Sequence, residues 1–269
     1  MVTLKAAAEV AKMREAGKVV AEMLAATGAA AKPGASTAEL DRIARDVIAR
    51  HGAESSFLGY YGYPATICTS VNGEIVHGIP SPRRRLKDGD IIGIDAGAIV
   101  DGWHADAAVT VAVGTASEAA LRLIATTEEA LRRGIAAATP GGRIGDIGAT
   151  VQAYAEGQGY SVVRNYVGHG IGRAMHEEPQ VPNYGLPDRG LPIRPGLCLA
   201  IEPMLNAGAG ETRVLDDRWT VVTADGSLSA HFEHTIWCGE AGAVVLTAVG
   251  GEADARIRAE LTAGKLVQA

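Results

Sequence analysis

The sequence predicts an α+β fold in which two related halves form one compact unit. Two observations support this prediction. Helix-type and strand-type segments follow one another in the same order twice along the chain. A proline-glycine break separates two helical segments in each half, at Pro33-Gly34 and again at Pro140-Gly141. Aligning the two breaks pairs each residue of the first half with the residue 107 positions later in the second half.

The first half begins with two predicted helices. Apolar residues recur at nearly helical spacing from Thr3 to about Ala26 in a stretch rich in alanine, which indicates the first helix. After the break, Ser36 and Glu39 have the spacing of a capping box, so a second helix runs from there to about His51. Residues that favour strands follow.

The second half repeats this order. A helix is predicted from Ser117 to Ala138, and another amphipathic helix follows the break, from Ile144 to Glu156. More strand-type residues complete this half. Chance similarity between short glycine-containing segments is the alternative interpretation of the repeat, because the matches are few.

The offset also aligns acidic residues. Two predicted buried strands, one in each half, each follow a turn and end in an acid, Asp95 in the first half and Glu202 in the second. Further on, Asp106 and Glu233 each follow a histidine by two residues within strand-like runs. Each half therefore contributes two carboxylates, and a two-fold arrangement of the halves would bring all four to one central site.

Asp95 and Asp106 can share a site only if the chain turns between them. They are eleven residues apart, and an odd separation places two side chains on opposite faces of one extended strand. Val100, Asp101 and Gly102 favour a turn between them. The sequence therefore predicts a hairpin with one acid on each arm.

Four converging carboxylates indicate a metal site, because they repel one another and are costly to desolvate unless cations neutralise them. Imidazole is a natural further ligand for first-row divalent metals. The histidine candidates are His77, His104, His169, His176, His231 and His234. His169 stands out because the glycines on either side of it, Gly168 and Gly170, let the backbone approach a ligand closely.

His77 and His176 lie in predicted loops near glycine or proline, where a histidine is by default a surface residue. If both reach the site, one can hydrogen-bond the substrate carbonyl and the developing oxyanion, and the other can orient the scissile amide or relay its proton. A mixed oxygen and nitrogen site suits Mn, Co, Fe or Zn. Two such ions with a free α-amine as a further ligand predict an exopeptidase.

Composition restricts the class of protein. The chain has 269 residues, 47% of them hydrophobic, and a net charge of −6, which argues against nucleic acid as the main ligand. The basic run at residues 83–87 is interpreted as a solvated loop, with an RNA-docking patch as the alternative. Three widely spaced cysteines and the lack of a signal peptide or membrane span predict a cytoplasmic protein.

Short motifs along nearly the whole chain resemble those of type I methionine aminopeptidases. The resemblance rests on Asn72-Gly73-Glu74, His77-Gly78-Ile79-Pro80, Gly93-Ile94-Asp95, residues 101–106, Gly168-His169-Gly170-Ile171-Gly172, His176-Glu177-Glu178-Pro179, Ile201-Glu202-Pro203 and Phe232-Glu233-His234-Thr235. It implies a pita-bread fold, a single catalytic domain over residues 1–269, and pseudo-symmetric repeats at about 3–114 and 117–247 around a central antiparallel sheet.

The resemblance also implies roles for individual residues. Asp95, Asp106 and Glu233 would hold one divalent metal ion. Asp106, His169, Glu202 and Glu233 would hold the other. Glu202 would be the general base, and His77 and His176 the substrate contacts. A methionine side-chain pocket would involve Tyr60, Tyr63, Cys68, Met204 and Trp219, for which ordinary core packing is the alternative interpretation.

The function implied is removal of the initiator methionine from nascent polypeptide N-termini when the second residue is small. A monomer is expected, and contact with the ribosome is left open. Three positions depart from the usual family pattern, namely Ala105, Met175 and His231. The alternatives are a proline-specific peptidase such as prolidase, which generally has an additional N-terminal domain, and a non-catalytic binding protein, which should have lost ligands.

Overall fold

The computed structural model of the chain describes residues 2–267. The α-helices are α1 (Ala7–Ala30), α2 (Thr37–His51), α3 (Glu118–Ala137), α4 (Ile144–Gly157) and α5 (Glu252–Val267). The strands are β1 (Glu54–Ser55), β2 (Ile67–Val71), β3 (Glu74–Val76), β4 (Ile91–Val100), β5 (Trp103–Ala112), β6 (Ser161–Val162), β7 (Gly168–Gly170), β8 (Glu177–Val181), β9 (Cys198–Ile201), β10 (Met204–Asn206), β11 (Thr212–Val214), β12 (Val221–Thr223), β13 (Ser229–His231), β14 (Glu233–Gly239) and β15 (Gly242–Val245). None of the helices in this part of the chain is long and apolar enough to cross a membrane.

One antiparallel sheet of nine strands forms the centre of the molecule. Its order is β1-β4-β5-β14-β9-β7-β8, with β2 beside β4 and β15 beside β14. Two smaller sheets have the orders β13-β10-β6 and β11-β12-β3. The predicted α+β class with a central antiparallel sheet is therefore confirmed.

Alternation along the strands separates core side chains from the acids. In β4, Ile92 and Ile94 belong to the core cluster that includes α1 and α2, whereas Asp95 lies on the opposite face. In β14, Ile236 packs in the cluster that includes α3 and α4, and Glu233 lies on the opposite face. The helices therefore cover one side of the sheet and leave the other side for a site.

The four helix predictions are confirmed, and the largest shifts of boundary are at the two ends of α1. α2 starts after Ser36, as predicted, and ends at His51. α1 begins at Ala7 rather than Thr3 because the residues before it are extended, and the N–H of Lys5 donates to the carbonyl of Gly196 at 2.7 Å. It also ends at Ala30, four residues beyond the predicted end.

Both halves use the same device to start their second helix. Glu39 accepts the backbone N–H of Ser36 before α2, and Asp146 accepts that of Arg143 before α4, each at 2.6 Å. The paired positions differ by 107 residues, as the sequence offset requires. The two helix starts are therefore equivalent in structure as well as in sequence.

The strands that carry the acids are also equivalent. β4 and β9 begin at positions 107 residues apart, Ile91 and Cys198. Isolated antiparallel bridges join Ser36 to Arg85 and Arg143 to Pro192 at the same offset. Each half thus ties the start of its second helix to the turn before its acid-bearing strand, which fixes where that strand enters the sheet.

Candidate active site and metal centre

Strand register brings three of the predicted ligands together. Asp95 pairs with Ala108 across β4 and β5, and Ala108 pairs with Glu233 across β5 and β14. Asp106 lies two residues from Ala108 and so shares its face. The turn between β4 and β5, at Asp101 and Gly102, lies where the sequence predicted it. The three acids therefore occupy neighbouring positions on the open side of the sheet.

His169 and Glu202 reach the same place from β7 and from the end of β9. His169 pairs with Ala200, which pairs with Thr235 of β14, and the Thr235 hydroxyl donates to the Asp106 carbonyl at 2.8 Å. His169 Nε2 lies 3.6 Å from Glu202 Oε1. Ligand atoms of Asp106, His169 and Glu233 lie within 4.8 Å of one another.

The tautomer of His169 suits a ligand. Its Nδ1 lies 2.9 Å from the carbonyl oxygen of Gly170, which can only accept, so Nδ1 carries the proton. The lone pair of Nε2 is therefore free. Burial lowers the pKa of His169 to about 3, with His176 adding to the effect, and the imidazole is neutral at neutral pH.

Several buried carboxylate oxygens of the site have no hydrogen-bond donor among the described residues to offset the cost of their burial. Among the described residues, Asp95 Oδ1, Asp106 Oδ1 and Glu233 Oε1 are buried without a hydrogen-bond partner. Burial raises the pKa of Asp95 to about 7. Burial and the neighbouring acids raise the pKa of Asp106, Glu202 and Glu233 as well. Unpaired oxygens and clustered acids fit divalent cations, which would return these groups to their ionised forms.

A cavity of about 240 Å³ lies over the five candidate ligands. Its lining comprises Phe57, Tyr60, Tyr61, Tyr63, Cys68, His77, Asp95, Asp106, His169, Met175, His176, Glu202, Trp219 and Glu233. Met204 is the one predicted site residue that does not line it. That side chain is fully buried in a separate cluster with Ile75 and Val221.

Sequence reasoning missed Phe57 and Tyr61 as lining residues. Both belong to an aromatic run with Tyr60 and Tyr63, and that clustering in a chain with only 4% aromatic residues is the signal that could have identified them. Tyr61 has a φ of 46° between two left-handed glycines. This sharply turned backbone directs several aromatic rings to the cavity from one short segment.

His77 and His176 both reach the cavity. The His176 ring lies 4.2 Å from the His169 ring, and the hydroxyl of Tyr60 lies 2.7 Å from His176 Nδ1. His77 packs edge-on against Trp219, with ring centroids 6.4 Å apart. Burial lowers the pKa of both histidines, that of His77 to about 4, so both rings are neutral at neutral pH.

The other histidine candidates lie outside the cavity. His104 Nδ1 lies 2.9 Å from the Ser56 hydroxyl, and His234 Nδ1 lies 2.8 Å from the Thr247 hydroxyl. His231 is 3% exposed, and its Nε2 has no partner among the described residues. These three positions are therefore not candidate ligands.

Comparison with known proteins shows sequence similarity to one family of metallopeptidases. The profile described as metallopeptidase family M24 matches residues 11–240. A methionine aminopeptidase of Clostridium acetobutylicum is 50% identical over 247 residues, which are 92% of this chain and 99% of that protein. Methionine aminopeptidase 1 of Bacillus subtilis is 50% identical over 249 residues, 93% of this chain and 100% of that protein.

Solved structures agree with these sequence likenesses. A methionine aminopeptidase from Thermotoga maritima superimposes with a TM-score of 0.91 at 42% identity, covering 92% of this chain and 99% of that one. A prolidase from Pyrococcus furiosus has a TM-score of 0.75 at 21% identity, and the match covers 92% of this chain but 66% of that one. The second likeness concerns the fold alone. Together they confirm the expected pita-bread architecture.

Proposed function

Because the chain belongs to metallopeptidase family M24, we propose that it works as a methionine aminopeptidase with two divalent metal ions at the five clustered ligands. Relatives named methionine aminopeptidase match nearly the whole of both chains. The enzyme therefore removes N-terminal methionine from peptides and proteins and uses divalent metal. The observation that carries the proposal is that four acids and one histidine line a single cavity with aromatic and sulfur-containing walls.

The ligands are proposed to act in two overlapping groups. Asp95, Asp106 and Glu233 would hold one ion, and Asp106, His169, Glu202 and Glu233 would hold the other, so that Asp106 and Glu233 would belong to both ligand sets. Four carboxylates and an imidazole offer Mn, Co, Fe and Zn suitable donors, and availability decides which one binds. When bound, the ions supply Lewis-acid polarisation of the substrate carbonyl and acidify the attacking water.

Glu202 is the proposed general base. Its carboxylate lies beside His169 and is fixed through its own backbone carbonyl, which accepts from the Asn183 side chain at 3.0 Å. Ionised Glu202 accepts a proton from the attacking water and later returns it to the leaving amine. Its position in the lining of the cavity, with its carboxylate next to His169, supports this role.

The neutral imidazoles of His77 and His176 are proposed to contact the substrate amide. Neutral imidazole has one N–H, and a Tyr60 hydroxyl that donates to Nδ1 of His176 leaves the proton on Nε2. Nε2–H can then donate to the substrate carbonyl and to the developing oxyanion. His77, which also lines the cavity, would orient the scissile amide.

The preference for methionine is proposed to come from the aromatic wall of the cavity. Tyr63 and Trp219 pack edge to face, with ring centroids 5.0 Å apart, and Cys68 is buried beside them. Aromatic rings and a thiol are favourable partners for a thioether. Phe57 and Met175 complete this wall.

A peptide panel tests the proposal. We expect the purified protein with added Mn²⁺ or Co²⁺ to release methionine from Met-Ala and Met-Gly peptides but not from Met-Lys peptides, because a confined second-residue site excludes long side chains. His169→Ala should lose both turnover and bound metal. Unchanged turnover and metal content in that variant would remove His169 from the ligand set.

The same panel separates the alternatives. Cleavage of Xaa-Pro peptides without cleavage of Met-Ala would select the proline-specific activity. A folded, metal-loaded protein that cleaves no peptide would select a binding protein. The presence of all five ligands in one cavity supports catalysis over binding alone.

We further propose a single-domain, monomeric, cytoplasmic enzyme that acts on nascent chains. The three cysteines are all buried and unpaired, which suits a reducing compartment. In the basic run, Arg84 lies 3.6 Å from Glu74 and Arg85 donates to the Gly34 carbonyl at 2.7 Å. These local contacts support the solvated-loop interpretation over an RNA-docking patch. Sedimentation at several protein concentrations tests the monomer.

A further inference from the structure

A buried ion pair lies directly behind the candidate active site. Lys5 Nζ is 2.6 Å from Glu177 Oε2, and the two side chains are 4% and 16% exposed. Neither residue lines the cavity, yet Glu177 immediately follows His176. A lysine is buried at such cost only when it is closely paired. The pair therefore fixes the N-terminal segment to the back of the segment that carries His176.

The carboxylate of Glu177 gathers four donors. Oε2 accepts from Lys5 Nζ and from the Thr3 hydroxyl, at 2.6 and 2.8 Å. Oε1 accepts from the backbone N–H groups of Arg173 and Ala174, at 2.9 and 3.3 Å. One carboxylate thus closes a tight turn over residues 173–177, with Met175 and His176 between its anchored ends.

The ion pair also packs against the backbone where this turn begins. A Cβ added to Gly172 would lie 2.5 Å from Lys5 Cε and 2.7 Å from Glu177 Oε1. The carbonyl of Gly172 accepts the backbone N–H of His104 at 2.8 Å. The turn is therefore held between the Lys5 side chain on one side and strand β5 on the other, and no side chain fits at Gly172.

We infer that Lys5 is a positioning residue for catalysis, acting through Glu177 on the turn that presents Met175 and His176 to the substrate. The inference rests on the proposed function, because it assigns a purpose to the placement of those two side chains. Met175 forms part of the wall for the methionine side chain, and His176 contacts the reacting amide. Loss of the ion pair frees both at once.

Lys5→Met tests this inference, because it keeps the length and apolar stem of the side chain and removes the charge. For Met-Ala peptides we expect kcat to fall and KM to rise, with kcat/KM lower by about tenfold or more, since small displacements of positioned groups are costly. Binding of free L-methionine, measured by calorimetry, should weaken. Metal content should remain that of the unmodified protein.

Arg14→Met is the matched control. Arg14 is also a buried cation near the N-terminus, 3% exposed and 3.3 Å from Asp254, but its partners lie away from the cavity. This variant should lose thermal stability while kcat and KM of the folded protein stay unchanged. Equal kinetics in Lys5→Met and Arg14→Met would overturn the inference, because both ion pairs would then be only structural.

One further variant keeps the inference testable if Lys5→Met folds poorly, and a double variant tests for shared action if Lys5→Met folds well. Thr3→Val removes one donor to Glu177 without removing a charge, and a smaller change in the same direction is expected. Glu177→Gln combined with Lys5→Met should lower kcat/KM no further than the larger single effect; fully additive losses would contradict a shared action. Failure of the unmodified enzyme to cleave any Met peptide would instead refute the proposed function.

Discussion

At the scale of single residues, the chemistry of the candidate ligands could be predicted, but their surroundings could not. Asp95, Asp106, His169, Glu202 and Glu233 line one cavity, as the carboxylate count and the glycine-flanked histidine suggested. His77 and His176 could not be placed from the residues alone, because both lie in loops whose course depends on distant contacts. Only the family resemblance located them.

Met204 is the one predicted pocket residue outside the lining of the cavity, and the course of the chain accounts for its position. It lies two residues after Glu202, and two side chains at that spacing share a face in an uninterrupted strand. Strand β9 ends at Ile201 and β10 begins at Met204, so the chain changes course at Pro203 between them. The alternation of side chains between the two faces of a strand therefore does not continue across that proline. The Met204 side chain lies in the apolar cluster with Ile75 and Val221 instead of in the cavity.

Tyr60→Phe tests the orientation of His176. The substitution removes the hydroxyl that lies 2.7 Å from His176 Nδ1 and keeps the ring in the cavity wall. A hydrogen bond is worth about 1 kcal/mol, so we expect kcat for a Met-Ala peptide to fall by roughly fivefold while KM changes little. Tyr184→Phe is the control, because that ring packs against a separate core cluster and does not line the cavity. Equal kcat in both variants would speak against the role.

At the scale of elements, short sequence patterns predicted the boundary of a helix correctly where that boundary is set by neighbouring residues of the same segment. The capping-box spacing of Ser36 and Glu39 predicted the start of α2, and the structure contains both of its hydrogen bonds. The start of α1 could not be predicted, because residues before Ala7 are drawn into contact with Gly196, nearly two hundred positions away, at 2.7 Å. α5 was not predicted at all. It packs against α1, more than two hundred positions away in the sequence, and that contact leaves no local pattern.

Replacing either of two glycines of α1 by alanine should change the free energy of unfolding, in opposite directions for the two positions. A Cβ at Gly17 would lie 2.1 Å from the Leu246 carbonyl oxygen, whereas at Gly28 the nearest atom is a Val111 methyl at 3.8 Å. Gly17→Ala should lower the free energy of unfolding by about 1–3 kcal/mol through overpacking. Gly28→Ala should raise it by about 0.5–1 kcal/mol through helix propensity. Urea denaturation measures both, and a gain in Gly17→Ala would refute the close contact.

At the scale of the whole molecule, the repeat predicted that the acids converge, but not how the strands are ordered. The pairing of β14 with both β5 and β9 joins residues more than a hundred positions apart in the first case. Such pairing follows from the packing of complete halves and leaves no local pattern in the sequence. The smaller sheets were missed for the same reason.

Metal removal should make stability depend on pH. Burial raises the pKa of Asp95 to about 7, above that of an unfolded chain, so the metal-free folded protein binds protons that the unfolded chain releases. The stability of metal-free protein should therefore fall as the pH rises from about 6 to about 8, and added Mn²⁺ should restore more stability at the higher pH.

Thermal unfolding with chelator and with Mn²⁺ measures this effect. Asp95→Asn is the matched variant, because it keeps the shape of the side chain and removes one titrating group. Its metal-free form should lose less stability over the same pH range. A metal-free protein with the same unfolding temperature at both pH values would contradict the expected proton uptake.

The central place of β14 has a consequence for how the protein is made. This strand lies between β5 and β9 and carries Glu233, yet it is among the last strands to be synthesised. Until residues 233–239 have left the ribosome, β5 retains an open edge, and Asp95 and Asp106 lack the neighbouring carboxylate of Glu233. The growing chain therefore presents this open edge to edge-to-edge association from the completion of β5 until β14 has been synthesised.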